Sequence, residues 1–213
     1  MSRETILDQN RIPLAVPDLR GNELAYLQKC IETNWVSSAG PFITECEEII
    51  RNLLGRSNAV ATVNGTTALQ LALMACDPQP GDYVIIPDWT FAGTANAVYH
   101  AGCIPVFADI GSQSLSLDPQ IVEKIITHPP GRIAAIIVVH PLGHPAELEP
   151  LVAISKSAGV PLIEDAAGAF GAKYKGYPIG SFGDFSILSF NGNKTITAGG
   201  GGMILTNSHD HAL

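Results

Sequence analysis

Hydrophobic positions change their spacing repeatedly along the chain. Runs of small and β-branched residues, such as Ala59-Val-Ala-Thr-Val63, predict buried strands. Between these runs, apolar residues recur every three or four positions, as at Leu24, Leu27 and Ile31, and predict amphipathic helices. The predicted strands are 59–63, 83–86, 104–108, 133–139, 160–163, 185–190 and 203–206. The predicted helices are 22–32, 42–54, 68–75, 92–101, 118–127 and 147–157.

The order of these elements predicts the fold class. Strands alternate with helices over most of the chain, which is typical of an α/β three-layer sandwich, a mostly parallel sheet with helices on both faces. An extended segment over 10–17 precedes this pattern, and a surface hairpin over 173–177 interrupts it. In such sheets, ligands bind beyond the carboxyl ends of the strands. The residues that follow each predicted strand are therefore the candidates for a functional site.

Composition and charge narrow the classes of function. Of the 213 residues, 46% are hydrophobic and 15% are charged, so we expect a large buried core. The net charge of -8 and the scattered basic residues argue against a nucleic-acid surface. No apolar run is long enough to span a bilayer, and the polar N-terminus lacks the apolar core of a signal peptide. The widely spaced Cys30, Cys46, Cys76 and Cys103 are typical of a reducing compartment and predict a cytoplasmic location.

The motif Asn64-Gly65-Thr66-Thr67 joins a predicted strand to an apolar helix. The first N–H groups of a helix lack partners, and the helix dipole favours an anion there, so this geometry suits a phosphate. The hydroxyl groups of Thr66 and Thr67 add further donors. A plain helix cap is the alternative interpretation, because threonine caps helices without any ligand.

Aromatic and acidic residues follow two other predicted strands. Trp89-Thr90-Phe91 comes after strand 83–86, where aromatic rings can line a ligand crevice or simply pack in the core. Asp165 follows strand 160–163 and is either a salt-bridge partner or a ligand contact. The mostly small residues over 166–171 leave room for a ligand beside it.

Lys194 differs from the other five lysines of the chain. The others lie in amphipathic helical patterns or in the predicted hairpin, whereas Lys194 lies among small and apolar residues with no acidic neighbour in sequence. It follows strand 185–190 and a polar turn, and it precedes the glycine run 199–202. A lysine in a partly dry site holds its proton less tightly, and the neutral amine can then attack a carbonyl to form a Schiff base. A surface lysine in a flexible turn is the alternative.

The spacing of His140 and His144 would suit a zinc site on a helix. Pro141 and Gly143 argue against a helix there, so we predict no metal. His140 is expected to serve the loop architecture or to form a wall of the site.

A phosphate site, an aromatic face, a carboxylate and a lysine together describe one cofactor, pyridoxal 5′-phosphate (PLP). The carboxylate of Asp165 would keep the pyridine nitrogen protonated, which makes the ring an electron sink. The amine of Lys194 would hold the aldehyde and, once displaced, would move a proton between substrate and cofactor carbons. The sequence therefore predicts Lys194 and Asp165 as catalytic residues.

The same motifs resemble those of a known family. The matching segments are Trp35-Val-Ser-Ser38, Asn64-Gly-Thr-Thr-Ala-Leu69, Thr90-Phe91, Ile163-Glu-Asp-Ala-Ala167 and Ile187-Leu-Ser-Phe-Asn-Gly-Asn-Lys194. Over nearly its whole length the chain resembles the large-domain half of the DegT/StrS-type aminotransferases, PLP enzymes of the aspartate aminotransferase fold that act on nucleotide-linked keto-sugars. The last segment is similar to members that make diamino- and nonulosonic-acid-type sugars for surface glycans.

The resemblance implies a role for each matching residue. The residues that would contact the cofactor or the sugar are Phe91 on the ring face, Gly65, Thr66 and Ser189 on the phosphate, and Trp35 and Asn191 on the sugar side. Many members carry Gln or Glu three residues beyond the aspartate, where it can reach the ring hydroxyl, whereas this chain has Gly168. Members are also longer, with a small C-terminal domain, and they share the active site across a homodimer.

We therefore expect 1–213 to be an incomplete PLP-binding large domain that lacks the small domain. The predicted function is transfer of an amino group from an amino acid, glutamate, to a keto-deoxy-sugar nucleotide. One alternative is a sugar dehydratase, but those relatives carry histidine in place of the lysine. A nucleotide-binding module would need a phosphate loop, and Gly192-Asn193-Lys194-Thr195 has the wrong order for one. A non-catalytic truncated fragment is the third alternative, because the chain ends in a polar segment after a core strand.

Overall fold

The structure is a computed structural model that describes residues 15–210. The predicted extended segment 10–17 lies mostly outside these residues. The helices are α1 (Glu23–Glu32), α2 (Pro41–Leu54), α3 (Gly65–Ala75), α4 (Ala92–His100), α5 (Pro119–Thr127) and α6 (Leu148–Ala158). The strands are β1 (Asn58–Thr62), β2 (Tyr83–Pro87), β3 (Ile104–Ala108), β4 (Ile133–Val139), β5 (Leu162–Asp165), β6 (Lys173–Tyr174), β7 (Tyr177–Pro178), β8 (Phe185–Ser189) and β9 (Gly202–Thr206).

Seven of these strands form one sheet in the order β1-β9-β8-β5-β4-β2-β3. Strand β9 runs antiparallel to both of its neighbours, β1 and β8. The other neighbouring pairs are parallel. Strands β6 and β7 form the separate hairpin that the sequence predicted. The mostly parallel sheet is therefore confirmed, with a single reversed strand near one edge.

Two hydrophobic clusters, one on each face of the sheet, make up the core. Helices α3 and α4 cover the first face through residues such as Leu69 and Val98, which pack on Ile86 and Ile137. Helices α2, α5 and α6 cover the second face, where Leu54, Val122 and Leu151 belong to the cluster that includes Ile136 and Leu188. These layers confirm the predicted three-layer α/β sandwich. No helix among residues 15–210 is both long and apolar enough to cross a membrane.

The start of α3 differs from the prediction. The helix begins at Gly65, three residues before the predicted start at Ala68, because the Asn64 side chain accepts a hydrogen bond from the Thr67 N–H (2.8 Å). This bond is an N-cap, which stabilises the first helical turn. Gly65, Thr66 and Thr67, which were predicted to precede the helix, are therefore its first turn, and the free amides of this turn point out of the helix end.

Strand β5 is also displaced along the sequence relative to the prediction. It begins at Leu162 and extends through Asp165, whereas 160–163 was predicted. Pro161 has no N–H to pair, and its carbonyl accepts a hydrogen bond from Ile136 before the ladder begins. Pairing then continues to Val139 opposite Asp165, so the acid is the last residue of the strand itself.

Candidate active site

The candidate residues all follow or end strands that point the same way. Gly65 opens α3 after β1, Phe91 precedes α4 after β2, and Asp165 ends β5. Ser189 ends β8, and Lys194 lies in the loop that follows it. The sheet topology therefore brings these residues to one edge, as expected for a ligand crevice in an open α/β sheet.

The anion end of the site is formed by α3 and β8. A Cβ atom on Gly65 would lie 2.9 Å from Cβ of Ser189, so the helix can approach the strand this closely only because residue 65 has no side chain. Neither the N–H nor the hydroxyl of Thr66 has a hydrogen-bond partner among the described residues. Ser189 is 9% exposed, and its hydroxyl accepts a long bond of 3.5 Å from the Asn191 N–H.

These donors suit a phosphate at the helix N-terminus. The backbone of Thr67 is not free for that role, because its N–H is used by the Asn64 cap. The capping interpretation and the anion interpretation therefore both apply, to different residues of the motif. The cap occupies Asn64 and the N–H of Thr67, and it leaves Thr66 and the Thr67 hydroxyl available, so the predicted role of that hydroxyl stays a prediction.

A second glycine brings the aromatic ring to the same place. A Cβ atom on Gly93 would lie 2.7 Å from Oγ1 of Thr66 and 2.9 Å from Cδ1 of Phe91. The first turns of α3 and α4 therefore meet with Phe91 beside them. The Phe91 ring is 76% exposed, so it is a ring face available to a ligand and not a core residue. Trp89, two residues earlier, is 44% exposed.

Asp165 is buried, and two donors fix its carboxylate. Oδ1 accepts the N–H of Ala167 (3.1 Å), and Oδ2 accepts the hydroxyl of Thr94 (3.3 Å). Burial raises the pKa of Asp165, although the Ala167 N–H, the charge of Lys194, the nearby His140 ring and the Thr94 hydroxyl all act in the opposite direction. The effect of burial therefore outweighs these contacts, and a further positive charge beside the carboxylate, such as a protonated ring nitrogen, would favour its ionised form.

Lys194 lies close to both groups. Its Nζ is 5.9 Å from the centroid of the Phe91 ring, and its positive charge acts on the Asp165 carboxylate. The side chain is half-buried, and Nζ forms no ion pair with any of residues 15–210. Its backbone N–H donates to the Asn191 carbonyl (3.0 Å), which fixes the polar turn. An amine, an aromatic face and a buried carboxylate are therefore grouped at the carboxyl edge of the sheet.

The two residues expected on the sugar side differ. Asn191 is exposed and part of the turn that holds Ser189 and Lys194. Trp35 lies in the loop before α2 and packs against Gly40, whose Cβ would be 3.1 Å from its Cε3 atom. No hydrogen bond or ring contact of the described residues joins Trp35 to Phe91, Asp165 or Lys194. Its role toward the sugar stays a prediction.

Sequence reasoning missed a buried network next to Asp165. Glu164 has no exposed surface, and it accepts hydrogen bonds from His140 Nε2 (3.2 Å) and from the N–H groups of Gly180 (2.6 Å) and Phe182 (3.0 Å). Further donors are the Gly183 N–H and the Ser186 hydroxyl, and the Arg56 guanidinium lies 4.0 Å away. An acid inside an apolar strand is the sequence signal for such a network.

His140 belongs to this network. Its Nδ1 accepts the Ala146 N–H (3.0 Å), so the ring proton is on Nε2 and donates to Glu164. The residue therefore serves the loop architecture. Within residues 15–210, no group of three or more His, Cys, Asp or Glu side chains is arranged to hold a metal ion.

Comparison with known proteins places this geometry in context. The sequence profile of the DegT/DnrJ/EryC1/StrS aminotransferase family matches residues 17–212. GDP-perosamine synthase of Caulobacter vibrioides is 43% identical over 205 residues, which are 96% of this chain and 54% of that protein. A Bacillus subtilis protein provisionally named as the pyridoxal phosphate-dependent aminotransferase EpsN is 36% identical over 92% of this chain and 52% of its own length.

A solved structure agrees with these matches. DesI in the presence of its TDP-sugar product superposes with a TM-score of 0.81 at 36% sequence identity, over 90% of this chain and 47% of DesI. The chain therefore spans about half the length of the relatives that it matches.

Proposed function

Because the chain belongs to the DegT/DnrJ/EryC1/StrS aminotransferase family, we propose that it binds PLP and serves a nucleotide-sugar aminotransferase. The amino group would pass from an amino acid to the keto carbon of a deoxy-sugar nucleotide, for amino-sugar and surface-glycan synthesis. One observation supports this most strongly: Lys194 lies over the exposed ring of Phe91, and its charge acts on the buried carboxylate of Asp165.

The residues present fit the cofactor at each of its polar ends. Thr66 and Ser189 offer unused donors to a phosphate, and Gly65 provides the space between them. Phe91 offers a face for the ring, and Asp165 offers a buried carboxylate that needs a positive partner. Lys194 offers the amine that would hold the aldehyde.

When bound, PLP supplies the electron sink that labilises bonds at the amino-bearing carbon. The protein contributes position and protons. Asp165 would stabilise positive charge on the ring nitrogen, and Phe91 would pack on the ring face. Nζ of Lys194, as a free amine, would accept a proton from the substrate carbon and donate it again.

The substrate proposal follows from the relatives. The Caulobacter protein is named for a GDP-linked sugar, and DesI was crystallised with a TDP-sugar product. We propose a nucleotide-linked keto-deoxy-sugar as acceptor and glutamate as donor. Incubating the protein expressed from its complete gene with glutamate and a panel of GDP- and TDP-linked keto-sugars tests both points. Mass spectrometry should detect conversion of ketone to amine for one of them, and conversion of none would refute the activity.

Cofactor binding has a simpler test. Purified protein mixed with PLP should acquire a visible absorbance band that free PLP lacks, and Lys194→Ala should abolish it. Lys156→Ala is the matched control, because Lys156 is an exposed lysine near the end of α6, at the opposite end of the sheet. Protein that takes up no PLP, or a Lys194→Ala variant that keeps the band, would refute the assignment.

We further propose that the protein is a homodimer that shares its active site. Helices α3 and α4 carry no Asp, Glu, Lys or Arg, whereas α1, α2, α5 and α6 all carry charged residues. Their outer face instead exposes Leu71, Met74 and Tyr99, at 42%, 54% and 77%. An uncharged apolar face can meet its own copy without like-charge repulsion, and this face begins at the site, where α3 and α4 start.

Analytical ultracentrifugation tests this proposal. Leu71→Glu should shift the dimer to monomer, whereas Leu53→Glu should not, because Leu53 lies on the charged helix α2 at a similar exposure of 60%. A wild-type monomer, or equal effects of the two substitutions, would refute it.

We also propose that residues 1–213 form an incomplete large domain without the small domain, and that the protein is cytoplasmic. Cys30, Cys46, Cys76 and Cys103 are all unpaired, which supports the second.

A further inference from the structure

A chain of two hydroxyl groups ends on the carboxylate of Asp165. Oγ1 of Thr90 lies 2.9 Å from Oγ1 of Thr94, which in turn lies 3.3 Å from Oδ2 of Asp165. Thr94 is 1% exposed, in the first turn of α4, and Thr90 is half-buried in the loop that precedes the helix. Neither residue is needed as a helix cap, since α4 has no side-chain cap.

The direction of these hydrogen bonds follows from counting protons. An ionised carboxylate has no proton to give, so the Thr94 hydroxyl must donate to Asp165. A hydroxyl has one proton, so Thr94 can only accept from Thr90, and the Thr90 hydroxyl donates. The chain therefore polarises in one direction, toward the carboxylate.

The other oxygen of Asp165 is fixed independently. Oδ1 accepts the N–H of Ala167, from the segment that follows β5. Donors from two different segments thus hold the two oxygens, which leaves the carboxylate a single orientation. Both donors favour the ionised form, and they oppose the rise in pKa that burial of Asp165 causes.

Close packing of the two helices makes this contact possible. Gly93 has no side chain, so the first turn of α4 can lie against Thr66 at the start of α3. Thr94 is the next residue and is held inward, toward β5. The buried hydroxyl of Thr94 therefore points at the carboxylate of Asp165.

We propose that Thr94, with Thr90 behind it, is a positioning residue that holds Asp165 ionised and in one orientation, and so stabilises the protonated ring nitrogen of bound PLP. This inference rests on the proposed function. Thr94 acts through Asp165 and not on the cofactor, so its effect should depend on the presence of a ring nitrogen.

The test compares two ligands and two substitutions. The ligands are PLP and its 1-deaza analogue, which keeps the aldehyde and phosphate but has carbon in place of the ring nitrogen. Their dissociation constants can be measured by tryptophan fluorescence, since Trp89 lies two residues from Phe91. Thr94→Val removes the hydroxyl and keeps the shape, and Thr94→Ser restores the hydroxyl.

Thr94→Val should weaken PLP binding by about tenfold or more, the scale of a hydrogen bond to a charged group. Binding of the deaza analogue should change by less than about threefold, since no nitrogen faces the acid. Thr94→Ser should restore the wild-type ratio of the two dissociation constants, that for PLP to that for the analogue. The matched control is Thr206→Val, because Thr206 is also a buried threonine, whose hydroxyl bonds the Asp184 carbonyl (3.0 Å) far from the site. It should leave the ratio unchanged.

If Thr94→Val weakens the binding of both ligands equally, the inference is overturned and the role of Thr94 is purely structural. An unchanged affinity for PLP would also overturn it. Should Thr94→Val not fold, Thr90→Val applies the same test from the outer end of the chain, where the same change in ratio is expected to be smaller. Wild-type protein that binds no PLP would refute the proposed function itself. Wild-type protein that binds PLP, with no change of ratio in the variants, would refute only the role of Thr94.

Discussion

Glu164→Gln is the substitution that should most damage the fold while changing the shape of the side chain least. The two carboxylate oxygens of Glu164 accept from five donors, with Oε1 taking His140 and Gly180, and Oε2 taking Phe182, Gly183 and Ser186. Glutamine replaces one oxygen by an NH₂ group, which is a donor that faces donors. At least two buried groups then lose their acceptor.

The size of the effect follows from these contacts. Each buried donor left without a partner costs about 1–3 kcal/mol, and the buried Arg56 guanidinium loses its counter-charge, so we expect a loss of about 3–5 kcal/mol. That is a fifth or more of a typical free energy of unfolding of about 5–15 kcal/mol. For a chain of this size, it corresponds to a fall in Tm of about 6–20 °C.

The effect should depend on pH with a defined sign. Burial opposes ionisation of Glu164, but the hydrogen bonds from His140 and from the Gly180 and Phe182 N–H groups outweigh it, and the pKa of Glu164 is lowered. A carboxyl with a lowered folded pKa stabilises the protein above its unfolded pKa of about 4.3, and this contribution is lost as the pH falls through the folded value. The difference between wild type and variant should therefore be full at pH 7 and shrink at acidic pH.

Thermal unfolding followed by circular dichroism, at neutral and at acidic pH, measures both quantities. Glu149→Gln is the control, because it removes a surface carboxylate that pairs with Lys175 while its side chain is 61% exposed, and it should leave Tm nearly unchanged. Equal Tm values for the two variants would refute the reasoning about burial. A wild-type advantage that stays constant into acid would refute the role of the negative charge.

Three further substitutions test the site. Asp165→Asn should raise Tm of the cofactor-free protein at pH 7. An acid whose pKa is raised in the folded state destabilises the protein as the pH rises through that pKa, and the substitution removes this effect. The variant should also bind PLP more weakly, and a lower Tm would contradict the argument. Phe91→Leu should weaken PLP binding by about threefold to tenfold. Tm should stay constant because Phe91 is 76% exposed, and a lower Tm measured by calorimetry would show that the ring has a structural role. Gly65→Ala places a Cβ atom 2.9 Å from Cβ of Ser189 and should weaken binding of PLP and of inorganic phosphate, and unchanged affinity for both would exclude this phosphate site.

Most of the elements could be predicted from the sequence, because hydrophobic spacing is a local property. A strand buries alternate or consecutive residues and a helix buries every third or fourth, so 133–139 could be assigned to a buried strand from its letters alone. The errors lie at boundaries set by single contacts. Because Asn64 caps the helix, α3 starts earlier than predicted, and because Pro161 has no N–H, β5 starts later than predicted.

The reversed strand had a local signal that the prediction did not use. Parallel neighbours need a long crossover, usually a helix, whereas antiparallel neighbours can be joined by a loop. The segment between β8 and β9 contains turns and no helix, and β9 returns antiparallel beside β8. The glycine run ends at Gly202, where a Cβ atom would lie 2.5 Å from the backbone of Asn64, so this strand needs glycine to pass α3.

The sequence by itself determined the alternation of strands and helices and the residues that stand at or after the carboxyl end of each strand, including Asp165 and Lys194. Only the tertiary structure decided which of them meet. Thr94 and Asp165 are 71 positions apart, and Arg56 and Ser186 are 130 apart. Their hydrogen bonds depend on strand order and helix packing, which no local spacing encodes. The physical reason is that periodicity reflects the geometry of one element, whereas a buried polar contact requires the whole sheet to be in register.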